Sequence, residues 1–249
     1  MEIFIDSANV EEIRRWLEYG VVDGVTTNPS ILLKDGGYDI EARAREIAEI
    51  VHPRPVSVEV YSNDHREMVE QAEAFARWAP NIVVKIPVID EYGEPSLDVV
   101  KELEADDIRV NMTACMSIGQ VVLGAKAGAT YISIFAGRVA DEGHDAAKLI
   151  RQAVTWLKEW DHASKIIVGS IREVCNVQDA ALAGAHIITI PPQFMTKWLD
   201  HQFTRATVGQ FNEDARKVLA KGDGRRDEVL VMRGDERNLA SGQSGVQAG

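Results

Sequence analysis

The sequence predicts an α/β protein, a (β/α)8 TIM barrel with an extra C-terminal helix, from three observations. Short runs rich in Val, Ile and Thr alternate with amphipathic stretches, so the apolar period changes repeatedly from that of a strand to that of a helix. Several of these runs are almost continuously apolar, as parallel strands covered on both faces require. Eight strand–helix units in 249 residues match a closed barrel, and no Gly-x-Gly-x-x-Gly follows the first run to favour an open dinucleotide-binding sheet.

The first four units occupy residues 3–103. Their strands are predicted at 3–6, at a run that ends at Thr27, at 56–60 and at 82–88. Helices are predicted over 10–19, over 39–51, through Phe75 and Trp78, and near 97–103, because apolar residues recur there at helical spacing.

The second half repeats this order, with strands predicted at 108–113, 130–135, 165–170 and 186–191, each followed by a helical pattern. Pro191 and Pro192 then open a helix through Leu199, and a further helix runs from about Phe203 to Ala220. We therefore predict one barrel domain over 1–220 with a C-terminal helical arm. Residues 221–249 carry six Gly and ten charges that sum to zero, which predicts a flexible tail.

Composition limits the partners. The chain has 27 Lys and Arg against 39 Asp and Glu, and a net charge of -12 repels nucleic acid and anionic membranes. A small-molecule partner and a cytoplasmic location are expected, because there is neither a secretion signal nor an apolar stretch near the roughly 18 residues of a membrane span. Cys115 and Cys175 lack CxxC spacing and are expected to be buried free thiols. The six His residues show no ligand spacing, so no metal site is expected.

Polar residues follow seven of the eight predicted strands at their C-terminal ends, where the active site of such a barrel lies. They are Asp6, Thr26 and Thr27 with Asn28, Glu59, Lys85, Asn111 with Thr113, Ser133 with Arg138, and Ser170 with Arg172. The eighth strand contributes no obviously reactive residue.

Lys85 lies between apolar residues in a strand that belongs to the barrel interior. Burying an ammonium is costly, which favours the neutral amine, a nucleophile that forms a Schiff base with a carbonyl. Asp6 and Glu59 can move protons on either side of an imine. In the alternative interpretation Lys85 only pairs with a carboxylate to close a layer of the barrel, or extends to water.

The remaining polar residues suit a phosphorylated polyol. Short neutral groups that can orient hydroxyls are Asn28, Asn111, Thr113 and Ser133. Two guanidinium groups with a hydroxyl suit a phosphate or sulfonate, and Arg138, Ser170 and Arg172 provide them. The structural alternatives are a cap before Pro29 for Asn28, a helix start for Thr113, and surface charge for the arginines.

Six segments follow one another along the chain: FIDSA near the start, GVTTNPSI at 24–31, VVKIPV at 83–88, NMT at 111–113, ISIFAGR at 132–138 and GSIR at 169–172. In this order they resemble the transaldolase family, in particular the short subfamily that includes fructose-6-phosphate aldolase. The resemblance runs from Met1 to about residue 215. It implies a cofactor-free enzyme in a homo-oligomer, a pentamer or decamer joined through the helix at about 203–220.

The resemblance also implies residue roles. Lys85 forms the Schiff base, Asp6 takes the proton from the C4 hydroxyl, and Glu59 moves protons through a water held by Thr113. The retained dihydroxyacetone unit is held by Asn28, Asn111 and Ser133, and the phosphate by Arg138, Ser170 and Arg172. Thr27 belongs to the same segment as Asn28 and is also expected at the substrate.

Glu59 and Phe135 lie where fructose-6-phosphate aldolases carry Gln and Tyr, so they indicate a transaldolase that transfers dihydroxyacetone to an aldose phosphate, as in the pentose phosphate pathway. The alternatives are a fructose-6-phosphate aldolase, a specialised transaldolase for a sulfosugar or an eight-carbon sugar phosphate, and a catalytically idle barrel that binds sugar phosphates.

Overall fold

A computed structural model describes residues 1–36 and 39–221 of the chain. Eight strands lie within those residues: β1 (Glu2–Asp6), β2 (Gly24–Thr26), β3 (Val56–Glu59), β4 (Ile82–Pro87), β5 (Val110–Cys115), β6 (Tyr131–Phe135), β7 (Lys165–Gly169) and β8 (Ile187–Ile190). The eleven helices of the described residues are α1 (Val10–Glu18), α2 (Pro29–Lys34), α3 (Ile40–Val51), α4 (His65–Ala76), α5 (Leu97–Ala105), α6 (Ile118–Ala127), α7 (Ala136–Asp141), α8 (Ala146–Glu159), α9 (Val174–Leu182), α10 (Pro192–Leu199) and α11 (Gln202–Lys221).

The strands close into one barrel in sequence order, with β8 pairing back to β1. Every neighbouring pair is parallel. The predicted (β/α)8 barrel and its extra C-terminal helix are therefore confirmed. Among the described residues, Met1–Trp198 form one compact unit and a second unit begins at Leu199. The flexible tail predicted for 221–249 lies outside the described residues except for Lys221, the last residue of α11.

The outer helices form where caps and apolar spacing agree. In α1 the Asn9 side chain accepts from the Glu12 backbone N–H at 3.1 Å, a cap worth about 1 kcal/mol. The same helix buries Val10, Ile13 and Trp16, which lie on one face because they are three residues apart. Each buried side chain of this size contributes roughly 1.5–3 kcal/mol. The helix is thus fixed against the barrel by burial more than by its cap.

Some predicted bounds were wrong. Helix α4 ends at Ala76, so Trp78 lies outside it, because Pro80 disfavours helical backbone just before it. Trp78 keeps its apolar environment by stacking on Phe75, with ring centroids 4.2 Å apart. Strand β5 begins and ends two residues later than predicted, at Val110 and Cys115. The six-residue helices α2 and α7, in the loops after β2 and β6, were not predicted as separate helices.

The expectation of two buried thiols was half correct. Cys115 is buried in the core, and this burial raises the pKa of its thiol to about 12. Cys175 is exposed, because it lies in the first turn of α9 on the side away from the core. Within the described part of the chain, no helix has both the length and the apolar character needed to cross a bilayer.

Candidate active site

A cavity of about 450 Å³ opens at the C-terminal ends of the strands. It is lined by Asp6, Thr26, Asn28, Pro29, Ser30, Glu59, Lys85, Ser133, Phe135, Arg138, Gly169, Ser170, Arg172 and Thr189. Nine of the twelve site residues predicted from the sequence line it, and the other three, Thr27, Asn111 and Thr113, are buried beside it. The topology thus brings together side chains that lie far apart in the sequence.

An apolar cluster forms the floor of this cavity. It consists of Phe4, Val83, Tyr131, Ile167 and Ile187, all at most 8% exposed. Each lies two residues before a cavity-lining residue on the same strand, and strand side chains repeat their direction every second residue. The strands therefore present an apolar layer below and a polar layer above, which excludes water from the lower barrel and confines chemistry to its upper end.

Lys85 lies at the bottom of the cavity and is only 4% exposed. Its Nζ lies 3.0 Å from Glu59 Oε2 and donates to the Thr27 backbone carbonyl at 3.0 Å. Glu59 and Lys85 are direct neighbours across β3 and β4, which brings the two side chains together. The ion pair that the alternative interpretation of Lys85 predicts is therefore present, with Glu59 as the partner. The same amine also lines the cavity, so the pair does not bury it beyond the reach of a ligand.

Asp6 contacts the cavity from the end of β1. The Thr26 hydroxyl donates to Asp6 Oδ1 at 2.6 Å, and the Thr26 and Thr189 hydroxyl oxygens are 2.5 Å apart. Burial raises the pKa of Asp6 above its usual value, against the lowering effects of the Thr26 hydrogen bond and the Lys85 charge. A carboxyl group poised in this way can exchange a proton with a ligand hydroxyl.

A buried chain of hydrogen bonds fixes one wall. Ser133 donates to Asn111 Oδ1 at 2.6 Å, and the Asn111 amide donates to the Ser57 hydroxyl at 3.1 Å. Thr27 donates its hydroxyl to the Ser57 backbone carbonyl at 2.8 Å. Asn111 and Thr27 therefore support the wall from behind, and Ser133 faces the cavity. Asn28 faces it too, while its Oδ1 caps α2 by accepting from the Ile31 N–H at 2.9 Å.

Thr113 is 1% exposed, and its hydroxyl has no hydrogen-bond partner among the described residues. It precedes Ala114, whose φ of 60° lies in the left-handed region. The register between β5 and β6 shifts at this point, between Met112 and Cys115. Thr113 is therefore inside a bulged strand rather than at the start of a helix, and Ser117 provides the cap of α6 instead.

Two arginines lie at the opposite side of the cavity from β3. Arg138 belongs to α7, and Arg172 follows β7 and pairs with Asp141 at 3.1 Å. Gly137 packs against the loop after β7 so closely that a Cβ would lie 2.0 Å from the Ser170 carbonyl oxygen. Ser170 itself has a φ of 58°, in the left-handed region. This contact brings the two arginine-bearing segments together into a site with the charge and donors for an anion.

Part of this arrangement was not predicted from the sequence. No site residue was predicted on β8, yet Thr189 lines the cavity, and the available signal was a lone polar residue in an apolar strand. Ser57 was also not predicted. It lies two residues before Glu59 on β3, so its side chain points into the barrel in the same direction. The close approach at Gly137 left no signal beyond the glycine itself, because it depends on a segment more than 30 residues away.

The fold is shared with solved structures of low sequence similarity. A mandelate oxidase mutant superposes with a TM-score of 0.55 at 13% identity, covering 88% of this chain and 74% of that one. A thiamine phosphate pyrophosphorylase from Pyrococcus furiosus gives a TM-score of 0.54 at 13% identity, covering 76% of this chain and 85% of that one. These similarities show the barrel architecture alone.

Sequence relatives are more informative. A probable transaldolase of Dehalococcoides mccartyi is 39% identical over 218 residues, which cover 88% of this chain and 99% of that protein. A probable transaldolase 2 of Listeria monocytogenes is 43% identical over 214 residues, covering 86% and 95%. The family model described as Transaldolase/Fructose-6-phosphate aldolase matches residues 3–229. The chain that carries this barrel and its lysine-centred cavity therefore belongs to the transaldolase/fructose-6-phosphate aldolase family.

Proposed function

We propose that the protein is a transaldolase that moves a dihydroxyacetone unit from a ketose phosphate to an aldose phosphate through a Schiff base on Lys85. The observation that carries the proposal is the place of Lys85. It is a buried amine at the bottom of a polar cavity, beside one carboxylate, with a second carboxyl group and an arginine pair lining the same space. A purely structural ion pair does not require the polar cavity above it.

In the proposed reaction, the Lys85 amine attacks the ketose C2 carbonyl and water leaves to give an iminium. The Asp6 carboxylate takes the proton of the C4 hydroxyl, the C3–C4 bond breaks, and its electron pair forms an enamine with the iminium carbon. The C4 fragment leaves as an aldehyde. The enamine then attacks the aldehyde of the acceptor, Asp6 returns the proton to the new hydroxyl, and hydrolysis frees Lys85.

Glu59 is the proposed proton carrier for the formation and hydrolysis of the iminium, because its carboxylate lies 3.0 Å from the reacting amine. Thr113, whose hydroxyl is buried without a partner among the described residues, would hold the water through which the proton moves. Asn28 and Ser133 would contact the hydroxyls of the retained unit, and Asn111 would fix Ser133 from behind.

Arg138, Ser170 and Arg172 would hold the phosphate at the far end of donor and acceptor. Guanidinium groups suit this role because their planar N–H donors match phosphate oxygens. The same set fits a sulfonate, so a sulfosugar is a possible donor on chemical grounds. A longer sugar phosphate is the other specialised substrate class that the family includes.

A fructose-6-phosphate aldolase is the second candidate, and it differs in the fate of the enamine. An aldolase protonates the enamine and releases dihydroxyacetone, whereas a transaldolase keeps it until an aldehyde arrives. Glu59 and Phe135 favour transfer, because the phenyl ring of Phe135 lines the cavity without a hydroxyl to donate a proton.

The products test the proposal. With fructose 6-phosphate and erythrose 4-phosphate together, we expect sedoheptulose 7-phosphate, measured by mass spectrometry. With fructose 6-phosphate alone, we expect no accumulation of dihydroxyacetone beyond one equivalent per active site. Steady release of dihydroxyacetone without acceptor would assign the aldolase activity instead. Absence of both products, with no sugar trapped by borohydride, would reject the Schiff-base chemistry.

We also propose that α11 joins subunits in a ring, as the family resemblance implies. Helical spacing places Val208, Phe211 and Val218 on one face of α11, an apolar stripe that association would remove from water. Light scattering coupled to size exclusion should give a multiple of 27.5 kDa, with five or ten copies expected. A 27.5 kDa species at micromolar concentration would show a monomer and contradict this assembly.

A further inference from the structure

A second polar cavity, of about 240 Å³, lies beside the first and shares Asp6 as a common wall. It is lined by Asp6, Ser7, Asn9, Glu12, Ile31, Lys34, Asp35, Pro191, Pro192, Gln193 and Thr196. The proposed reaction uses none of these residues except Asp6. Asp35 is distinctive among them, because it contacts the two residues that follow Asp6 in the chain.

One oxygen of Asp35 makes both contacts. Asp35 Oδ2 accepts from the Ala8 backbone N–H at 2.9 Å and from the Ser7 hydroxyl at 3.2 Å. Ser7 is 4% exposed, and its hydroxyl oxygen accepts from the Asn9 N–H at 3.1 Å. The carboxylate of Asp35 therefore fixes the loop that leaves β1 directly after Asp6, and it restrains the backbone next to the Asp6 side chain.

Asp35 reaches that loop because helix α2 places it there. Asn28 caps the N-terminus of α2, and Asp35 is the C-terminal cap, where its own N–H donates to the Ile31 carbonyl. The six residues of α2 thus separate Asn28, which lines the substrate cavity, from Asp35, which fixes the loop after β1. The short helix joins the ends of β1 and β2 above the barrel.

The charge of Asp35 acts on Asp6 as well. The groups that face Asp6 are the Thr26 hydroxyl from β2, Glu59 from β3, Lys85 from β4 and Asp35 from the end of α2. Burial is the main cause that raises the pKa of Asp6, and the negative charges of Glu59 and Asp35 act in the same direction. The Thr26 hydrogen bond and Lys85 oppose them. A raised pKa makes the carboxylate a stronger base towards a sugar hydroxyl.

We propose that Asp35 is a positioning residue for Asp6: its carboxylate fixes the loop that follows β1 and thereby holds Asp6 at the wall shared by the two cavities. The proposal rests on the proposed function, because it acts through the role of Asp6 in that reaction. It assigns no contact between Asp35 and the substrate. Asp35 lines the second cavity and not the substrate cavity, and Asp6 lines both.

Two substitutions separate geometry from charge. Asp35→Asn keeps a carbonyl oxygen that can accept from Ala8 and Ser7, but it removes the charge. Asp35→Ala removes both. The measurement is the pH profile of kcat/KM with fructose 6-phosphate and erythrose 4-phosphate, with Glu12→Gln as the matched control, since Glu12 lines the same cavity but is not among the charges that shift Asp6.

In the wild type, activity should fall as the pH drops through the raised pKa of Asp6, because the protonated form cannot accept the C4 proton. For Asp35→Asn we expect the acid limb of the kcat/KM profile to move to lower pH. The plateau value of kcat/KM should stay within about threefold of wild type. For Asp35→Ala we expect a plateau kcat about tenfold lower, because a misplaced base loses much of its effect. The acid limb of Glu12→Gln should coincide with that of the wild type.

An unmoved acid limb in Asp35→Asn would overturn the charge effect, and an unchanged plateau in folded Asp35→Ala would overturn the positioning. If Asp35→Ala does not fold, Asp35→Asn still decides, because a merely structural residue would not move the acid limb. Failure of the proposed function is a separate result. In that case the wild type itself would give neither transfer nor a borohydride-trapped sugar.

Discussion

Replacing Lys85 with Ala should lower kcat for dihydroxyacetone transfer on the order of a thousandfold or more, because Lys85 carries the one amine among the described residues that line the cavity. Trapping with borohydride and fructose 6-phosphate should label the wild type once per chain and leave the variant unlabelled. Intact-mass spectrometry of the two proteins measures this difference in labelling. Peptide mapping of the labelled wild type should place the adduct on Lys85.

The variant also leaves Glu59 without its partner at 3.0 Å, so loss of activity has to be separated from loss of fold. Lys85→Arg provides this separation, because a guanidinium keeps the positive charge beside Glu59 but forms no imine under these conditions. We expect Lys85→Arg to be folded by circular dichroism and as inactive as Lys85→Ala. Turnover by a folded Lys85→Arg protein would contradict the Schiff-base mechanism.

Lys165 offers a matched control, because it is also a strand lysine paired with a carboxylate. Its Nζ lies 2.7 Å from Glu2, and this hydrogen bond raises the pKa of Lys165. Lys165 begins β7, however, whereas Lys85 lies near the end of β4, so Lys165 is at the opposite end of the barrel. Lys165→Ala should keep kcat within about twofold of wild type, since surface ion pairs contribute little, and it should still take one label per chain because Lys85 is intact.

Replacing Gly137 with Ala should raise KM for fructose 6-phosphate about ten- to a hundredfold, through the arginine pair rather than the lysine. The new methyl group would lie 2.0 Å from the Ser170 backbone carbonyl oxygen and 2.8 Å from Arg172 Cγ. Backbone cannot rotate away as a side chain can, so α7 and the loop after β7 must separate. Arg138 and Arg172 would then no longer meet one phosphate group.

Free dihydroxyacetone distinguishes this effect from general damage, since it carries no phosphate and needs only the lysine end of the cavity. Borohydride trapping of dihydroxyacetone on Gly137→Ala should therefore match the wild type. Gly119→Ala is the control, because Gly119 is also in a helix but its added Cβ would meet nothing closer than the Ser117 hydroxyl at 3.9 Å. An unchanged KM in Gly137→Ala would show that the arginines do not bind the phosphate together.

The sequence by itself determined the order of the elements and most of the site. Nearly continuous apolar strands indicated a parallel sheet, and eight repeated units indicated its closure. Because parallel strands bring their C-terminal ends to one side, polar residues at those ends, such as Asp6 and Lys85, were predicted to converge before any contact was known. Nine of the twelve site residues predicted from the sequence, Phe135 included, line one cavity. Their individual roles stay predictions.

Only the tertiary structure decided how those residues are held. The contact of Gly137 with Ser170, the Thr26–Thr189 hydroxyl pair and the hold of Asp35 on the loop after β1 each join segments that are distant in sequence. Local periodicity reports which face of an element is buried, but not which side chain meets which across the barrel. Such contacts depend on ångström-scale distances between loops, and those distances are fixed only when all eight strands have closed.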